Sequence, residues 1–352
     1  MSGLPGPAGN GRPVVIAHRG ASGYRPEHTL ASYLLAVALG ADVIEPDLVS
    51  TSDGVLVARH ENEIGGTTDV AAHPEFAARR TTKVVDGRVV TGWFAEDFTL
   101  AEITTLRATE RIPHLRPSNT AYDGWYAVPT LDEILDLAAL ASERYGRPVG
   151  VMPELKSSTY SRRLGLPLEE PLVRTVRERG LDRPDSGIVV QSFEIANLQH
   201  LAAESRLRLL QLVDPQGGPY DRVRSGDRTT YEEMVTPAGL ARIAEYAHVL
   251  GAPKELVVPR RHDGGLDTAT TLVGDAHACG LDVYVWTVRH ENAFLPADLR
   301  SSPRGADAGD VRRELDALLA AGVDGVFADQ PDHAVQAVAD YSPRSVFDTA
   351  NR

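Results

Sequence analysis

Cysteine and long apolar runs are nearly absent from this chain of 352 residues, whose one cysteine is Cys279. A single cysteine excludes an internal disulfide and a zinc site built from cysteines. No stretch approaches the ~18 apolar residues of a membrane-spanning helix, and no signal peptide is visible at the start. We therefore expect no membrane span and a cytoplasmic location, or an exported protein if a leader has been removed.

Basic residues are also scarce relative to acidic ones, and the formal net charge is −13. This charge argues against a nucleic-acid partner and against a basic membrane-binding face. It does not exclude an anionic substrate, because an arginine, a lysine or a bound cation can reverse the field inside a cleft. The oligomeric state does not follow from the composition.

Short β-branched runs alternate with helical patterns, which is typical of βα units and a parallel sheet. We predict a TIM (β/α)8 barrel, with a doubly wound open sheet as the alternative. The catalytic barrel should comprise 14–60 and 128–340, between a disordered Gly- and Pro-rich tail at 1–13 and a C-terminal tail at 341–352. The predicted strand runs are 14–20, 43–50, 149–156, 188–193, 207–213, 255–260, 281–288 and 325–329.

Helix boundaries are marked by capping residues. Thr29 precedes an apolar stripe that ends at Gly40, and Leu315, Leu318 and Leu319 precede Gly322. Thr130 with Glu133, and Thr99 with Glu102, have the spacing of capping boxes. Each pattern predicts a helix that starts or stops at these residues.

A ninth run, 55–60, follows the second strand after Asp53-Gly54, a dipeptide that favours a two-residue hairpin turn. That turn would pair Ser52 with Val55 and place Asp47 opposite His60. Glu45 lies two residues from Asp47 and would share its face. The hairpin thus predicts two carboxylates and an imidazole in one place.

Residues 61–127 break the βα rhythm and are too many for an ordinary loop. We predict that they form an insertion that caps one end of the barrel. Segments 217–228 and 289–310 are predicted surface loops, and the second of them is expected to line the mouth.

Polar residues at the carboxyl ends of barrel strands are typical of a catalytic site. Glu45, Asp47 and Glu154 stand at such ends and offer the oxygen ligands that Ca²⁺ and Mg²⁺ prefer. The alternative for each acid is a salt bridge within the barrel. Three converging acids without a cation would repel one another, which favours a divalent-cation site.

The other candidates lie at the same strand ends. His18 and His60 are predicted as an acid–base pair, although each alone could be a structural histidine. Arg19 offers a planar donor fork for phosphate oxygens, or a partner for Glu45 or Asp47. Glu154 and Lys156 alternate with the apolar residues Val151 and Leu155, so the Lys156 side chain can point inward. Phe193 and Trp286 are candidates for the substrate pocket, with a core position as the favoured alternative. Six other histidines are assigned to surface or helix positions: His28, His73, His114, His262, His277 and His290.

Together these residues resemble the glycerophosphodiester phosphodiesterase family. The resemblance rests on an ordered set of short motifs: His18-Arg19-Gly20, Pro26-Glu27-His28-Thr29, Glu45-Pro46-Asp47-Leu48, His60, Pro153-Glu154-Leu155-Lys156, Gln191-Ser192-Phe193, Trp286-Thr287-Val288 and 322–332. The segment after His60 resembles the insertion of family members that are frequently exported. Two positions depart from the commonest family pattern: His28 stands where many members have Asn, and Glu61 stands where Asp is usual.

The resemblance implies a TIM barrel of the phospholipase C-like phosphodiesterase type that binds one Ca²⁺ or Mg²⁺. It implies hydrolysis of a small-molecule glycerophosphodiester to glycerol 3-phosphate and an alcohol. Glu45, Asp47 and Glu154 would hold the metal, Arg19 would bind the phosphate, and His18 and His60 would transfer protons. Two rival functions are a phospholipase D-like or phosphoinositide-type lyase that forms a cyclic phosphate, and a non-catalytic phosphate-binding or wall-associated barrel.

Overall fold

The computed structural model describes residues 11–341. The predicted tails at 1–13 and 341–352 lie outside the described residues, apart from residues 11–13 and 341. The strands are β1 (Val14–His18), β2 (Val43–Glu45), β3 (Asp47–Ser50), β4 (Leu56–Ala58), β5 (Thr81–Val85), β6 (Arg88–Gly92), β7 (Gly150–Val151), β8 (Glu154–Leu155), β9 (Val189–Ser192), β10 (Arg208–Leu212), β11 (Val249–Pro253), β12 (Asp282–Val288) and β13 (Gly325–Ala328).

The α-helices lie mainly between these strands. They are α1 (Leu30–Ala38), α2 (Leu100–Ile103), α3 (Leu131–Tyr145), α4 (Ser158–Arg163), α5 (Glu169–Glu178), α6 (Ile195–Glu204), α7 (Tyr220–Ser225), α8 (Tyr231–Met234), α9 (Pro237–Ile243), α10 (Lys254–Val257), α11 (Leu272–Ala278), α12 (Val311–Ala320) and α13 (Pro331–Asp340). Short 3₁₀ helices span Val70–Ala72, Pro74–Arg79, Ala95–Asp97, Pro117–Tyr122 and Ala297–Leu299. Within residues 11–341, no helix combines the length and apolar character needed to cross a lipid bilayer.

The parallel strands close into a barrel, which confirms the predicted TIM fold. β1 pairs in parallel with both β2 and β13, and neighbouring pairs run from β8 through β13. β2 and β3 are two parts of one barrel strand interrupted at Pro46, and β7 and β8 are two parts of the next strand, which contains Pro153. Proline lacks the N–H that a ladder hydrogen bond requires.

Alternation along each strand divides the core into two layers. Val14 and Ile16 lie in the cluster that fills the barrel interior, whereas Val15 and Ala17 lie in the larger cluster between the sheet and the helices. Successive side chains of a strand point to opposite faces, so one strand supplies both layers. Because apolar side chains fill the barrel interior, a polar functional site can form only at the ends of the strands.

The predicted capping residues are confirmed. Thr29 accepts a hydrogen bond from the Ser32 N–H at the start of α1, and the predicted capping boxes begin α2 and α3. The predicted loop 217–228 is wrong in part, because α7 forms within it.

The sixth strand was predicted at 255–260, and this prediction is wrong. The strand is β11, and the β-branched run after it begins with α10. β11 lacks large side chains at its centre for a steric reason. A Cβ added at Gly251 would lie 2.6 Å from the Leu210 side chain and 2.7 Å from that of Leu212. The barrel interior therefore requires a glycine there, which hides the strand from a search for β-branched residues.

The predicted hairpin exists, but its register is wrong by one residue. Leu48 opposes Ala58, so Asp47 lies opposite Arg59 instead of His60. Thr51 accepts the Val55 N–H through its hydroxyl and closes a turn longer than two residues. His60 reaches the site for a different reason: the chain leaves the strand after Ala58, and the His60 side chain lines the barrel mouth.

Residues 61–127 contain the antiparallel β5–β6 hairpin, most of the 3₁₀ turns and helix α2. A separate apolar cluster holds this segment together and joins it to the β3–β4 hairpin; its members include Val49, Val57, Phe76, Phe98 and Leu106. The segment therefore has its own small core beside the barrel.

Candidate active site

The polar residues of the site lie in register across neighbouring strands. His18 at the end of β1 is the sheet partner of Glu45 at the end of β2. Asp47 is the partner of Glu154, which is in turn the partner of Gln191 on β9. Because these strands are parallel, their carboxyl ends meet at one edge of the barrel.

Three predicted metal ligands are brought together and buried. Oxygen atoms of Glu45, Asp47 and Glu154 lie within 4.8 Å of one another. Burial and the two neighbouring carboxylates raise the pKa of Glu45 well above its usual range. Burial also raises the pKa of Glu154, to about 8, against the lowering effect of Lys156. Burial disfavours ionised Asp47 as well, but Lys156, His60 and His28 hold its pKa well below the usual range.

These carboxylates are short of positive charge. Lys156 Nζ lies 2.7 Å from a Glu154 oxygen and 4.0 Å from an Asp47 oxygen. Gln191 donates to Glu45 at 2.8 Å, while its own Oε1 is buried without a hydrogen-bond partner among the described residues. A hard divalent cation with oxygen ligands fits this donor set.

Arg19 is held in place by acids on two sides. Its backbone N–H donates to Glu45 at 2.9 Å, and its guanidinium lies 3.1 Å from Glu27 and 3.3 Å from Asp47. Its Nε is buried without a hydrogen-bond partner in the described part of the chain. The predicted alternative, an acid partner for Arg19, is therefore present, and the side chain also lines the cavity described below.

His18 is anchored by a buried acid. Its Nδ1 lies 2.6 Å from Asp329, whose other oxygen accepts hydrogen bonds from Arg116 and Arg289. The opposite ring nitrogen of His18, Nε2, makes no hydrogen bond within residues 11–341. Burial, followed by the charge of Arg19, lowers the pKa of His18 to about 4. His18 is therefore neutral at pH 7.

His60 is anchored by a more exposed acid. Its Nδ1 lies 2.5 Å from Glu61, and Arg111 of the insertion joins Glu61 to Glu27. Burial, together with the charges of Arg19 and Lys156, lowers the pKa of His60 to about 3.

The assignment of His28 to a surface or helix position is wrong. His28 is completely buried, and its Nε2 lies 2.8 Å from Asp47. Its other nitrogen lies 2.9 Å from the Tyr33 hydroxyl. The motif position itself was the available signal, since His28 follows Glu27 directly before the cap of α1.

Two cavities open around the site. The first cavity, of about 450 Å³, contains His18, Arg19 and the predicted pocket residue Trp286. The second cavity, of about 890 Å³, contains Lys156 and residues of the insertion. His60, Glu154 and Phe193 line both cavities. Phe193 and Trp286 thus border open space, and both also pack against the apolar core, so the pocket position and the core position are compatible for them. The predicted loop 289–310 contributes Phe294 to the first cavity, as expected of a mouth-lining segment.

Sequence reasoning recognised Gln191 only as a polar residue at a strand end and gave no role to Asp329, Arg111 or Arg116. Asp329 directly follows β13, so the rule of strand ends could have found it. Gln191 also lies at a strand end. The two arginines belong to the insertion, more than 80 residues from some of their partners, and no local pattern marks them.

The fold is a closed (β/α)8 barrel, which places the chain in the TIM-barrel class. Its mouth holds two histidines in one cavity and a cluster of three acids, an arrangement typical of enzymes. The sequence profile described as the glycerophosphoryl diester phosphodiesterase family matches residues 18–333. The chain therefore belongs to the glycerophosphoryl diester phosphodiesterase family.

Individual relatives agree with this membership. A glycerophosphodiester phosphodiesterase of Arabidopsis thaliana is 34% identical over 336 residues, covering 92% of this chain and 85% of that protein. One from Haemophilus influenzae is 28% identical over 351 residues, covering 92% and 89%.

Solved structures share the fold. A putative glycerophosphoryl diester phosphodiesterase of Silicibacter pomeroyi has a TM-score of 0.63 at 24% identity, covering 96% of this chain and 95% of that one. An Oleispira antarctica phosphodiesterase, solved with the product sn-glycerol-3-phosphate, has a TM-score of 0.61 at 20% identity, covering 93% and 97%.

Proposed function

We propose that this protein hydrolyses glycerophosphodiesters, such as glycerophosphocholine and glycerophosphoethanolamine, to sn-glycerol 3-phosphate and an alcohol, with the help of a divalent cation. The observation that carries this proposal is the placement of His18 and His60 in one cavity with Glu45 and Glu154. The names of the relatives in Arabidopsis thaliana and Haemophilus influenzae support the activity. The product bound to the Oleispira antarctica enzyme supports the class of product.

Glu45, Asp47 and Glu154 would hold the cation, either Ca²⁺ or Mg²⁺. Their mutual repulsion and the raised pKa of Glu45 are what a divalent cation would relieve. When bound, the cation would supply positive charge to the phosphate oxygens and stabilise the transition state.

Arg19 and Lys156 would bind the phosphate. Arg19 presents a fixed fork of donors, because Glu27 and Asp47 orient its guanidinium. Lys156 stands on the other side of Glu154 and lines the second cavity. A phosphodiester centred near Glu154 would therefore have a cationic side chain towards each cavity.

His18 would act as the general base. Its Nδ1 faces Asp329, so its other ring nitrogen can accept the proton of the attacking hydroxyl. If that hydroxyl is water, attack gives glycerol 3-phosphate directly; if it is the glycerol 2-hydroxyl, attack gives a cyclic phosphate, which a water must then open to glycerol 3-phosphate. His60 would protonate the departing alkoxide. The lowered pKa of His60 belongs to a site without substrate, and the negative charge of a bound phosphodiester raises the pKa of a neighbouring imidazole.

The cavities suggest how the substrate lies. His18 lines only the first cavity, whereas His60 borders both. The glycerol end would lie in the first cavity beside Phe193 and Trp286, and the leaving alcohol would depart past His60 into the second cavity.

The insertion would serve as a cap. We propose the domain boundaries 14–60 and 128–340 for the barrel and 61–127 for the cap, which reaches the site through Arg111 and Arg116. Both arginines bind acids that hold the histidines, so the cap would complete the site as well as cover it.

Incubation with glycerophosphocholine, followed by assays for free choline and glycerol 3-phosphate, tests the proposal. Chelation should abolish turnover, and added Ca²⁺ or Mg²⁺ should restore it. Calorimetric titration of the stripped protein with each cation supplies a readout besides activity, and Glu45→Gln should weaken that binding. Phosphocholine as product, a cyclic phosphate as end product, or turnover that survives exhaustive chelation would contradict the proposal.

A further inference from the structure

The two cavities have opposite charge. The first cavity contains five cationic side chains against three carboxylates: Arg19, Lys254, Arg260, Arg289 and Arg300 against Glu45, Glu154 and Glu255. The second cavity contains two cationic side chains against six carboxylates: Arg88 and Lys156 against Glu61, Glu63, Asp86, Glu154, Glu194 and Asp214. Burial raises the pKa values of Asp86, Glu154 and Glu194, but a cation that enters the cavity favours the ionised form of each carboxyl. A cationic ligand group therefore meets a negative potential close to His60.

Some of these carboxylates already have partners. Glu61 is paired with Arg111, and Glu63 accepts the backbone N–H groups of Gly65 and Trp93. Glu154 belongs to the metal cluster. The three that remain, Asp86, Glu194 and Asp214, make no ion pair in the described part of the chain. They accept hydrogen bonds from the Ser157 hydroxyl, from Thr159 and from the Gln216 N–H, respectively.

Asp86 has an unused oxygen. Its Oδ2 accepts the Ser157 hydroxyl at 2.7 Å, whereas its Oδ1 is buried and has no hydrogen-bond partner among residues 11–341. A buried carboxylate oxygen without a partner is costly, so such an atom indicates a missing donor or cation. Asp86 lies at the tip of the β5–β6 hairpin. Its hydrogen-bond donor, Ser157, directly follows Lys156 in the chain.

Aromatic side chains line the same space. Phe94, Phe193, Tyr220 and Tyr231 all border the second cavity. Aromatic faces attract ammonium groups, and they tolerate the methyl groups of a quaternary ammonium that hydrogen-bonding sites exclude. Acidic and aromatic walls together therefore suit an organic cation better than a hydrated metal ion.

We propose that the second cavity binds the head group of the diester, and that Asp86, Glu194 and Asp214 select a positively charged amino alcohol, such as choline or ethanolamine. This inference rests on the proposed function, because it takes the departing alcohol to leave past His60. The β5–β6 hairpin of the insertion, through Asp86, and the barrel loops that carry Glu194 and Asp214 then determine substrate preference together.

The test compares two substrates that differ in head-group charge. Glycerophosphocholine carries a cationic head group and glycerophosphoglycerol a neutral one of similar size. For the Asp86→Asn/Glu194→Gln double variant, we expect the ratio of kcat/KM for the choline substrate to that for the glycerol substrate to fall about tenfold, mainly through KM. Asn-Gly suits the turn that Asp86-Gly87 forms, with φ of 46° at Asp86, so the hairpin is retained.

Glu232→Gln is the control for long-range charge effects, because Glu232 is exposed on α8 and removes one of the same kind of charge outside both cavities, where the double variant removes two at the second cavity. It should leave the substrate ratio unchanged. Choline added as an inhibitor should compete with substrate, and its inhibition constant should rise in the double variant.

The outcomes separate the two ideas. A protein that hydrolyses neither diester refutes the proposed function. A protein that hydrolyses both, with an unchanged substrate ratio in the double variant or an equal change in the Glu232→Gln control, refutes the head-group site alone.

Discussion

The two histidines of the site are anchored in different ways, although each faces a carboxylate. On the His18 side, Asp329 is 3% exposed and receives hydrogen bonds from Arg116 and Arg289. On the His60 side, Glu61 is 42% exposed and pairs with Arg111. Buried ion pairs become costly when one partner is removed, whereas exposed pairs contribute little. We therefore expect the fold to hold the His18 side more firmly than the His60 side.

This difference matches the proposed division of the substrate. A common glycerol end would need a rigid first cavity, while varied head groups would need a second cavity that can adapt. The insertion contributes to both sides, since Arg116 reaches Asp329 and Arg111 reaches Glu61.

The largest loss of stability should come from replacing Arg116, the arginine of the insertion that binds Asp329 on the His18 side. Arg116→Met leaves Asp329 and Glu291 buried with less compensating charge, so the free energy of unfolding should fall by about 3–5 kcal/mol. Arg111→Met should cost about 1 kcal/mol, because Glu61 is exposed and Glu27 keeps Arg19 as a partner. Urea denaturation of both variants measures the difference. Equal losses would show that the two anchors do not differ.

Removing either imidazole should cost about 10²–10⁴-fold in kcat, since each would lose general acid–base catalysis. His18→Ala and His60→Ala are compared with His200→Ala, which alters an exposed histidine on α6. Turnover of glycerophosphocholine measures the effect. Near-full activity in either site variant would remove that histidine from the mechanism.

Much of this site could be predicted from sequence because it lies at strand ends. His18, Glu45 and Glu154 each close a short apolar run, so the parallel barrel brings them together once the strands are recognised. The same rule would have found Asp329. The capping boxes could be predicted as well, because each depends on two residues that are only three positions apart in the sequence.

The rest depends on contacts that local sequence does not encode. Gly251 replaces a large side chain because Leu210 and Leu212 fill the barrel beside it, and this packing hid the sixth strand. The hairpin register depends on Ser52, whose N–H donates to Phe98 of the insertion. Arg116 and Arg111 find their acids only after the insertion has packed against the barrel.

The anchors themselves should differ in their effect on turnover. Asp329→Asn should lower kcat by about 10- to 100-fold, because an amide no longer fixes the tautomer of His18. Glu61→Gln should lower kcat by about tenfold or less, since water can replace an exposed partner. These are positioning effects, so Asp329→Glu should restore part of the activity and KM should change little. A larger loss in Glu61→Gln would reverse the comparison between the two sides.

The last effect concerns pH, and it should also differ between the sides. Burial raises the pKa of Glu194 on the His60 side to about 7, whereas Arg289 and Arg116 overcome burial and hold the pKa of Asp329 well below its usual range. A carboxyl whose pKa is raised on folding contributes stability that is complete below about pH 4.5 and is lost as the pH rises through about 7.

Asp329 stays ionised across this window in both states and adds no slope. From Glu194 we expect the free energy of unfolding to fall by roughly 2–3 kcal/mol between pH 5 and pH 8, since burial raises its pKa to about 7 despite the hydrogen bonds from Thr159. Glu194→Gln should flatten the profile, and Glu232→Gln should not. A Glu194→Gln profile as steep as that of the unmodified protein would show that this carboxyl is already ionised at pH 5, which would remove the pH contrast between the two sides.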